Sequence, residues 1–144
     1  MKYLLLISHG GLAEGLRTSL AMFAGDQMDQ VLAIGLKEGE GVDAFGERVQ
    51  SLLAELPDEA EFVVLADIVG GSPLTTALEV LAERGKLETA TVLGGMNLTM
   101  ALTTVVMKDL LEGSALVQAV LAESATALQE FSLASDVDAD DDDI

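Results

Sequence analysis

Short apolar runs alternate with longer segments of helical period along almost the whole chain, and this alternation restricts the fold more than any other feature. The apolar runs cover residues 2–8, 30–36, 61–68 and 88–93. In the segments between them, apolar residues recur every three or four positions, which is typical of an amphipathic helix. Strands that alternate with helices pair in parallel through crossover connections. The sequence therefore predicts a three-layer α/β domain, in which a doubly wound parallel sheet lies between two layers of helices.

The helical segments are predicted over residues 12–25, 42–57, 74–85, 98–113 and 115–130. In the first of them, the spacing predicts an inward-facing stripe formed by Leu12, Leu16, Leu20 and Phe23. In the second, the inward-facing residues are expected to be Phe45, Val49, Leu52 and Leu56. Because only 3% of the residues are aromatic, aliphatic side chains such as these must supply most of the core.

Length and composition predict one domain with an acidic tail. The chain has 144 residues and no internal linker, so we expect a single domain over residues 1–135. Residues 136–144 contain a run of aspartates, which cannot bury apolar surface. This last segment is therefore predicted to be a disordered, solvated tail.

The formal net charge of −18 restricts the partners that the chain can bind. Phosphate backbones and anionic lipids would be repelled at long range, which argues against nucleic acid and membrane surfaces and favours a basic protein partner. The chain has no cysteine and one histidine, which excludes thiolate catalysis and a histidine cluster for a transition metal. No apolar run approaches the ~20 residues of a membrane span.

Three of the predicted strands are followed by loops with paired glycines. These loops contain Gly10 and Gly11, then Gly70, Gly71 and Ser72, and then Gly94, Gly95 and Asn97. Ligands of open α/β sheets collect at the carboxyl ends of the strands, where glycines let backbone N–H groups approach closely. Each loop also opens a helix, and a helix N-terminus attracts anions. Three such loops at one sheet edge predict a site for a phosphoryl group.

His9 and Asp67 end two of the parallel strands that lead into these loops. A lone histidine is most often a structural residue, and an aspartate after a strand often forms a turn or a cap. The alternative interpretation is catalytic. Asp67 would accept a hydrogen bond from one nitrogen of His9 and leave the other nitrogen as a nucleophile. Their common position at one sheet edge favours this second interpretation.

Ser72 and Pro73 open the third helical segment. Serine is favoured at the N-cap of a helix and proline at the first helical position, so we expect these two roles. A capping hydroxyl also lies beside free N–H groups, where phosphate oxygens could bind.

The segments "LISHGGLAEGL", "LADIVGGSP" and "GGMNLTMAL" together resemble the enzyme IIA domain of the mannose family of the bacterial sugar phosphotransferase system. The resemblance covers roughly residues 1 to 130, with the three motifs in order and at matching spacing. It implies that His9 accepts a phosphoryl group from the carrier protein HPr and passes it to an enzyme IIB, here a separate chain. It further implies that Asp67 hydrogen-bonds His9 and that the Ser72 region helps to hold the phosphate, with neither a metal nor a cofactor.

The same resemblance implies an assembly and a location. It predicts a homodimer with parallel strands in the order 2-1-3-4 and an antiparallel strand near the C-terminus that is exchanged between subunits. Residues 130–135 are the candidate for that strand. The protein is expected in the cytoplasm, in contact with the membrane only indirectly through the permease complex.

The chain departs from the family pattern at Ile68 and Val69, where the family often has a threonine and an aromatic residue. Two further hypotheses fit the same residues. One is the phosphocarrier of a dihydroxyacetone kinase, which uses a related domain. The other is a regulatory binding module whose phosphorylation state is read by a partner.

Overall fold

The computed structural model describes residues 1–133 and confirms the predicted alternation. The strands are β1 (Lys2–His9), β2 (Val31–Leu36), β3 (Glu61–Ala66) and β4 (Thr91–Leu93). The helices are α1 (Leu12–Ala24), α2 (Val42–Ala54), α3 (Ser72–Glu83), α4 (Leu98–Met107) and α5 (Gly113–Thr126). A 3₁₀ helix that the periodicity did not predict, Gly25–Gln30, leads into β2. None of the helices within residues 1–133 is long and apolar enough to cross a membrane.

All strand pairs are parallel and the strand order is β2-β1-β3-β4, as predicted. The register places Ile7 of β1 opposite Ala66 of β3, and His9 opposite Leu36 of β2. The hydrogen bonding continues one residue beyond the end of β3, where the backbone N–H of Asp67 donates to the carbonyl oxygen of Ile7 at 3.1 Å. This register brings the residue after β3 directly beside the last residue of β1.

Each face of the sheet has its own apolar core. In β1 the side chains alternate, so that Leu4 and Leu6 face one core while Leu5 and Ile7 face the other. The first core is completed mainly by α1, α4 and α5, with Leu20, Met100, Val105, Leu116 and Val120. The second is completed by α2 and α3, with Phe45, Val49, Leu53, Leu74 and Leu81. The helices therefore form the two outer layers of a three-layer domain.

The predicted inward stripes of the first two helices are partly wrong. Leu12 and Phe23 are exposed, whereas the predicted Leu20 is buried together with Ala13 and Ala24, which were not predicted. Small alanines face the sheet and let the helix approach it closely, which a pattern based on bulky residues misses. In α2, Leu53 is buried, whereas Leu52 only packs against the edge of the core, as does Leu56 beyond the end of the helix.

The prediction of an exchanged strand over residues 130–135 stays a prediction. Residues 130–133 pair with no strand in the described part of this single chain, and residues 134–135 lie outside the described residues. The predicted tail, residues 136–144, lies outside them as well. An exchanged strand needs a second copy as its partner, so a single chain does not test it.

A buried lysine joins the end of α4 to the sheet edge opposite the glycine loops. The side chain of Lys108 is 0% exposed, and its Nζ donates to Gln30 Oε1 at 2.5 Å and to Asp109 Oδ2 at 2.7 Å. Lys108→Ala leaves a cavity and removes the hydrogen bond that satisfies Gln30. We expect it to lower the free energy of unfolding by about 2–4 kcal/mol. Urea unfolding measures this loss.

The exposed Lys37→Ala is the matched control for Lys108→Ala, because it removes the same charge from the surface. It should change the free energy of unfolding by less than about 0.5 kcal/mol. Equal losses in the two variants would contradict a stabilising role for the buried lysine.

Candidate active site

His9 is the last residue of β1, and its side chain is 48% exposed. The alternation of β1 directs His9 to the face covered by α2 and α3, and the preceding Ser8 to the face of α1. Ser8 is fully buried, and its Oγ accepts a hydrogen bond from the N–H of Ala13 at 2.8 Å. The strand end therefore presents the imidazole at the carboxyl edge of the sheet while the neighbouring hydroxyl caps α1.

His9 and Asp67 are in direct contact. Asp67 Oδ2 accepts hydrogen bonds from the backbone N–H of His9 at 2.8 Å and from the ring Nδ1 at 2.9 Å. Its other oxygen, Oδ1, accepts from the backbone N–H of Ile68 at 2.8 Å. An ionised carboxylate can only accept hydrogen bonds, so this contact places the ring proton on Nδ1. The Nε2 atom then carries the lone pair.

The charge on Asp67 is maintained although the side chain is only 14% exposed. Burial by itself raises the pKa of Asp67, but the hydrogen bonds from the backbone and ring of His9 and from the backbone of Ile68 outweigh it. The pKa of Asp67 therefore lies below its ordinary value. An ionised Asp67 both fixes the tautomer of His9 and stabilises positive charge that develops on the ring.

Gly71 packs against the imidazole ring. A Cβ atom at this position would lie 2.8 Å from His9 Cε1 and 3.3 Å from His9 Nε2, closer than side chains pack. The glycine therefore lets the start of α3 approach the ring. Its neighbour Gly70 has a φ of 91°, a conformation that favours glycine and that turns the chain from Asp67 into the helix.

The predicted roles of Ser72 and Pro73 are shifted by one position. Gly71 is the N-cap of α3, with an extended backbone and a carbonyl that accepts from Thr75 at 3.1 Å. Ser72 is already helical, makes no capping hydrogen bond and is exposed, and Pro73 follows it within the first turn. The ring of His9 packs against residue 71 and leaves no room for a side chain there. The N-cap position of α3 is therefore occupied by a glycine rather than by the serine that local propensity favours.

Several backbone donors are available in the two loops that flank His9. The N–H groups of Gly11, Leu12, Gly70, Gly71 and Ser72 make no hydrogen bond to any of residues 1–133. The N–H of Gly10, by contrast, donates to the carbonyl of Leu36 at 2.7 Å. Gly10 is therefore a structural turn residue, while its neighbours and the α3 N-terminus offer donors suited to an anion.

Gly35 is a residue of this site that the sequence analysis missed. A side chain on Gly35 in β2 would overlap the carbonyl oxygen of Gly10. That carbonyl is also the acceptor for the hydroxyl of Ser8, at 3.3 Å. A glycine within an apolar strand was the available signal, since it often marks a close backbone approach.

Asn97 supports its own loop. Its Oδ1 accepts from the N–H of Met100 at 2.8 Å, which caps α4. The N–H of the preceding Met96 donates to the carbonyl of Ala66 at 2.9 Å. The loop that contains Gly94 and Asn97 is thus attached to the end of β3, directly before Asp67.

An ion pair supports the end of β2 beside Gly10. Arg48 donates to Glu40 through Nε at 2.8 Å and to the carbonyl oxygen of Gly35 at 2.6 Å. The hydrogen bond from Arg48 lowers the pKa of Glu40 from 4.5 to about 2. Because the pKa falls on folding, this pair stabilises the fold fully above about pH 4.5 and progressively less as the pH falls towards 2.

Glu40→Gln is therefore expected to flatten the pH dependence of stability in acid. Between pH 4.5 and about 2, its free energy of unfolding should fall less steeply than that of the unsubstituted protein. Urea unfolding across this range measures the slope. Glu38→Gln, which removes an exposed carboxylate nearby, is the control and should keep the original slope. Identical slopes for Glu40→Gln and the unsubstituted protein would contradict the prediction.

Comparisons with known proteins point to one family. A family model described as "PTS system fructose IIA component" matches residues 3–121. The chain is 28% identical over 105 residues to the PTS system fructose-specific EIIA component of Bacillus subtilis (strain 168), covering 73% of this chain and 69% of the relative. It is 29% identical over 102 residues to the PTS system mannose-specific EIIAB component of Escherichia coli (strain K12), covering 71% of this chain. It spans only 30% of that longer relative.

A solved structure agrees with the sequence comparisons. The mannose/sorbose specific IIA subunit of the phosphotransferase system from Enterococcus faecalis superposes with a TM-score of 0.76 at 25% sequence identity. The match covers 92% of this chain and 97% of that subunit. The likeness therefore extends over nearly the whole chain.

Proposed function

The chain belongs to the fructose/mannose family of IIA components of the sugar phosphotransferase system, and from this premise we propose that it carries a phosphoryl group from phospho-HPr, on His9 Nε2, to a separate enzyme IIB. Members of this family are phosphotransferase components of sugar uptake. The observation that carries the proposal is the geometry of His9. Its Nδ1 is bound to Asp67 at 2.9 Å, and its Nε2 lies at the half-exposed edge beside Gly71.

The proposed reaction balances when the donor phosphohistidine carries a proton on its other ring nitrogen. The lone pair of Nε2 attacks the phosphorus of the donor phosphohistidine, a new N–P bond forms, and the N–P bond of the donor breaks. The electron pair of that bond returns to the donor ring, which leaves as a neutral imidazole because its other nitrogen carries the proton. Positive charge develops on the ring of His9 as the new bond forms, and the ionised Asp67 stabilises that charge through the Nδ1 proton.

The loop amides supply the remaining stabilisation. The phosphoryl group in transfer carries its charge on three equatorial oxygens, and catalysis consists mainly of positioning and charge stabilisation. The N–H groups of Gly70, Gly71 and Ser72 lie at the N-terminus of α3, and those of Gly11 and Leu12 lie at the start of α1. Both helix ends favour an anion between them.

The surface around His9 suits docking of a carrier protein. Three exposed apolar residues flank the imidazole, Leu12 at the start of α1 and Ile68 and Val69 in the loop after β3. The net charge of −18 would attract a basic partner and raise the rate of association. These few exposed apolar residues, on a protein of acidic net charge, therefore suit the transient binding of a partner such as HPr or an enzyme IIB.

The test follows the phosphoryl group from phosphoenolpyruvate through this protein to enzyme IIB. The protein is incubated with phosphoenolpyruvate, enzyme I and HPr, and the intact mass is measured before and after acid treatment. We expect one acid-labile, base-stable phosphoryl group, which disappears when enzyme IIB is added. No phosphorylation would overturn the proposal. Phosphorylation without transfer to any enzyme IIB would favour the regulatory hypothesis instead.

A further inference from the structure

Val69 lies in a space that exists because residue 94 is a glycine. A Cβ atom on Gly94 would overlap Val69 Cγ2 and would lie 3.5 Å from both the Cβ and the backbone nitrogen of Val69. Gly94 does not have a positive φ, whereas the adjacent Gly95 has a φ of 78°. The backbone of residue 94 thus tolerates a side chain, and the side chain of Val69 is the group with which a Cβ atom there would collide.

The turn that contains Val69 also contains two groups that touch His9. Asp67 at its start binds Nδ1 at 2.9 Å, and Gly71 at its end packs against Cε1 and Nε2. The hydrogen bond from Met96 to the carbonyl of Ala66 fixes the start of the turn. The contact between Val69 and Gly94 is a second attachment, in the middle of the turn.

We propose that Val69 is a positioning residue for phosphoryl transfer. The side chain of Val69 packs against Gly94 and thereby fixes the turn of residues 67–71. Gly71 then stays against the ring of His9, and the orientation of Nε2 is constant. Val69 is 75% exposed, so its own burial contributes little to the stability of the fold. A β-branched side chain with a restricted χ1 suits this task. The inference rests on the proposed function and adds a residue that acts through the turn.

Gly94→Ala tests the contact, because it places a methyl group where Val69 Cγ2 lies. Val69→Ala removes the conflicting methyl group, so the double variant Gly94→Ala/Val69→Ala should relieve the overlap. Gly15→Ala in α1 is the control, since a Cβ atom there meets nothing within 4 Å. Two signals report the geometry without any phosphoryl transfer: the Gly71 amide and the Cε1–H resonance of His9, the only histidine.

We expect Gly94→Ala to shift both resonances and to slow phosphorylation by phospho-HPr by about 10- to 100-fold, because a small misplacement of reacting groups is costly. The double variant should match Val69→Ala in both resonances and rate, and Gly15→Ala should match the unsubstituted protein. Unshifted resonances in Gly94→Ala, or a double variant that differs from Val69→Ala in resonances or rate, would overturn the inference.

The design separates this inference from the proposed function. If the unsubstituted protein accepts no phosphoryl group, the proposed function fails, whereas the resonances of Gly71 and His9 still test the contact. If Gly94→Ala does not fold, Val69→Ala alone carries the test. It should move the same two resonances, and unchanged positions would overturn the role of Val69.

Discussion

A His9→Gln variant is expected to accept no detectable phosphoryl group from phospho-HPr, a loss of at least about 10³-fold. Glutamine approximates the reach of the ring, but its amide nitrogen has no basic lone pair and cannot attack phosphorus. In the structure, the backbone N–H of residue 9 donates to Asp67 Oδ2 at 2.8 Å. The substitution keeps this backbone group, so the turn should persist. Phosphorylation with labelled phosphoenolpyruvate, enzyme I and HPr measures the loss.

Gln50→Ala on α2, distant in sequence from the strand ends, is a control that should accept the label at the original rate. The His9→Gln variant should also unfold within about 1 kcal/mol of the unsubstituted protein, since His9 is half exposed. Because the chain has no second histidine, label that persists in His9→Gln would mean that another type of residue is phosphorylated. That result would contradict the role of His9.

The order of the strands and the common edge of His9 and Asp67 could be predicted from the sequence. Parallel strands place their carboxyl ends at one edge, so two polar residues that end neighbouring strands must lie near each other. The register then decides the contact. It pairs Ile7 with Ala66 and thereby sets Asp67 beside the backbone of His9. The strand order entered through the resemblance to a known family, because hydrophobic periodicity alone leaves it open.

The contacts between loops could not be predicted in the same way. Three glycines each make room for a group from another segment of the chain. These pairs are Gly35 with the carbonyl of Gly10, Gly71 with the ring of His9, and Gly94 with the side chain of Val69. Gly71 and Gly94 have no local signature, because the restriction comes from residues distant in sequence, whereas Gly35 has one as a glycine inside an apolar strand. The N-cap of α3 illustrates the same point. Local propensity favours Ser72, but the packing of the ring requires the preceding glycine.

Asp67→Asn is expected to slow phosphoryl acceptance by roughly 10²–10³-fold, more than Asp67→Ala does. The carboxylate accepts from two N–H groups through Oδ2 and from a third through Oδ1. An asparagine has one acceptor and one donor in their place. If its oxygen takes the Oδ2 position, its NH₂ group faces the N–H of Ile68. If the NH₂ group faces His9, it opposes the backbone N–H of His9, and Nδ1 must accept, so that the proton moves to Nε2 and the nucleophilic lone pair is lost.

Asp67→Ala distinguishes a wrong tautomer from a missing acceptor. It removes the acceptor without introducing a donor, so a fraction of His9 keeps its proton on Nδ1 and remains reactive. Single-turnover transfer from phospho-HPr measures both variants, and the exposed Asp43→Asn on α2 is the matched control that should retain the original rate. The ¹⁵N shifts of the only imidazole report the tautomer directly and should differ between the two variants.

Equal rates in Asp67→Asn and the unsubstituted protein would remove Asp67 from the mechanism. Equal slowing in Asp67→Asn and Asp67→Ala, with one tautomer in both, would assign its contribution to charge alone.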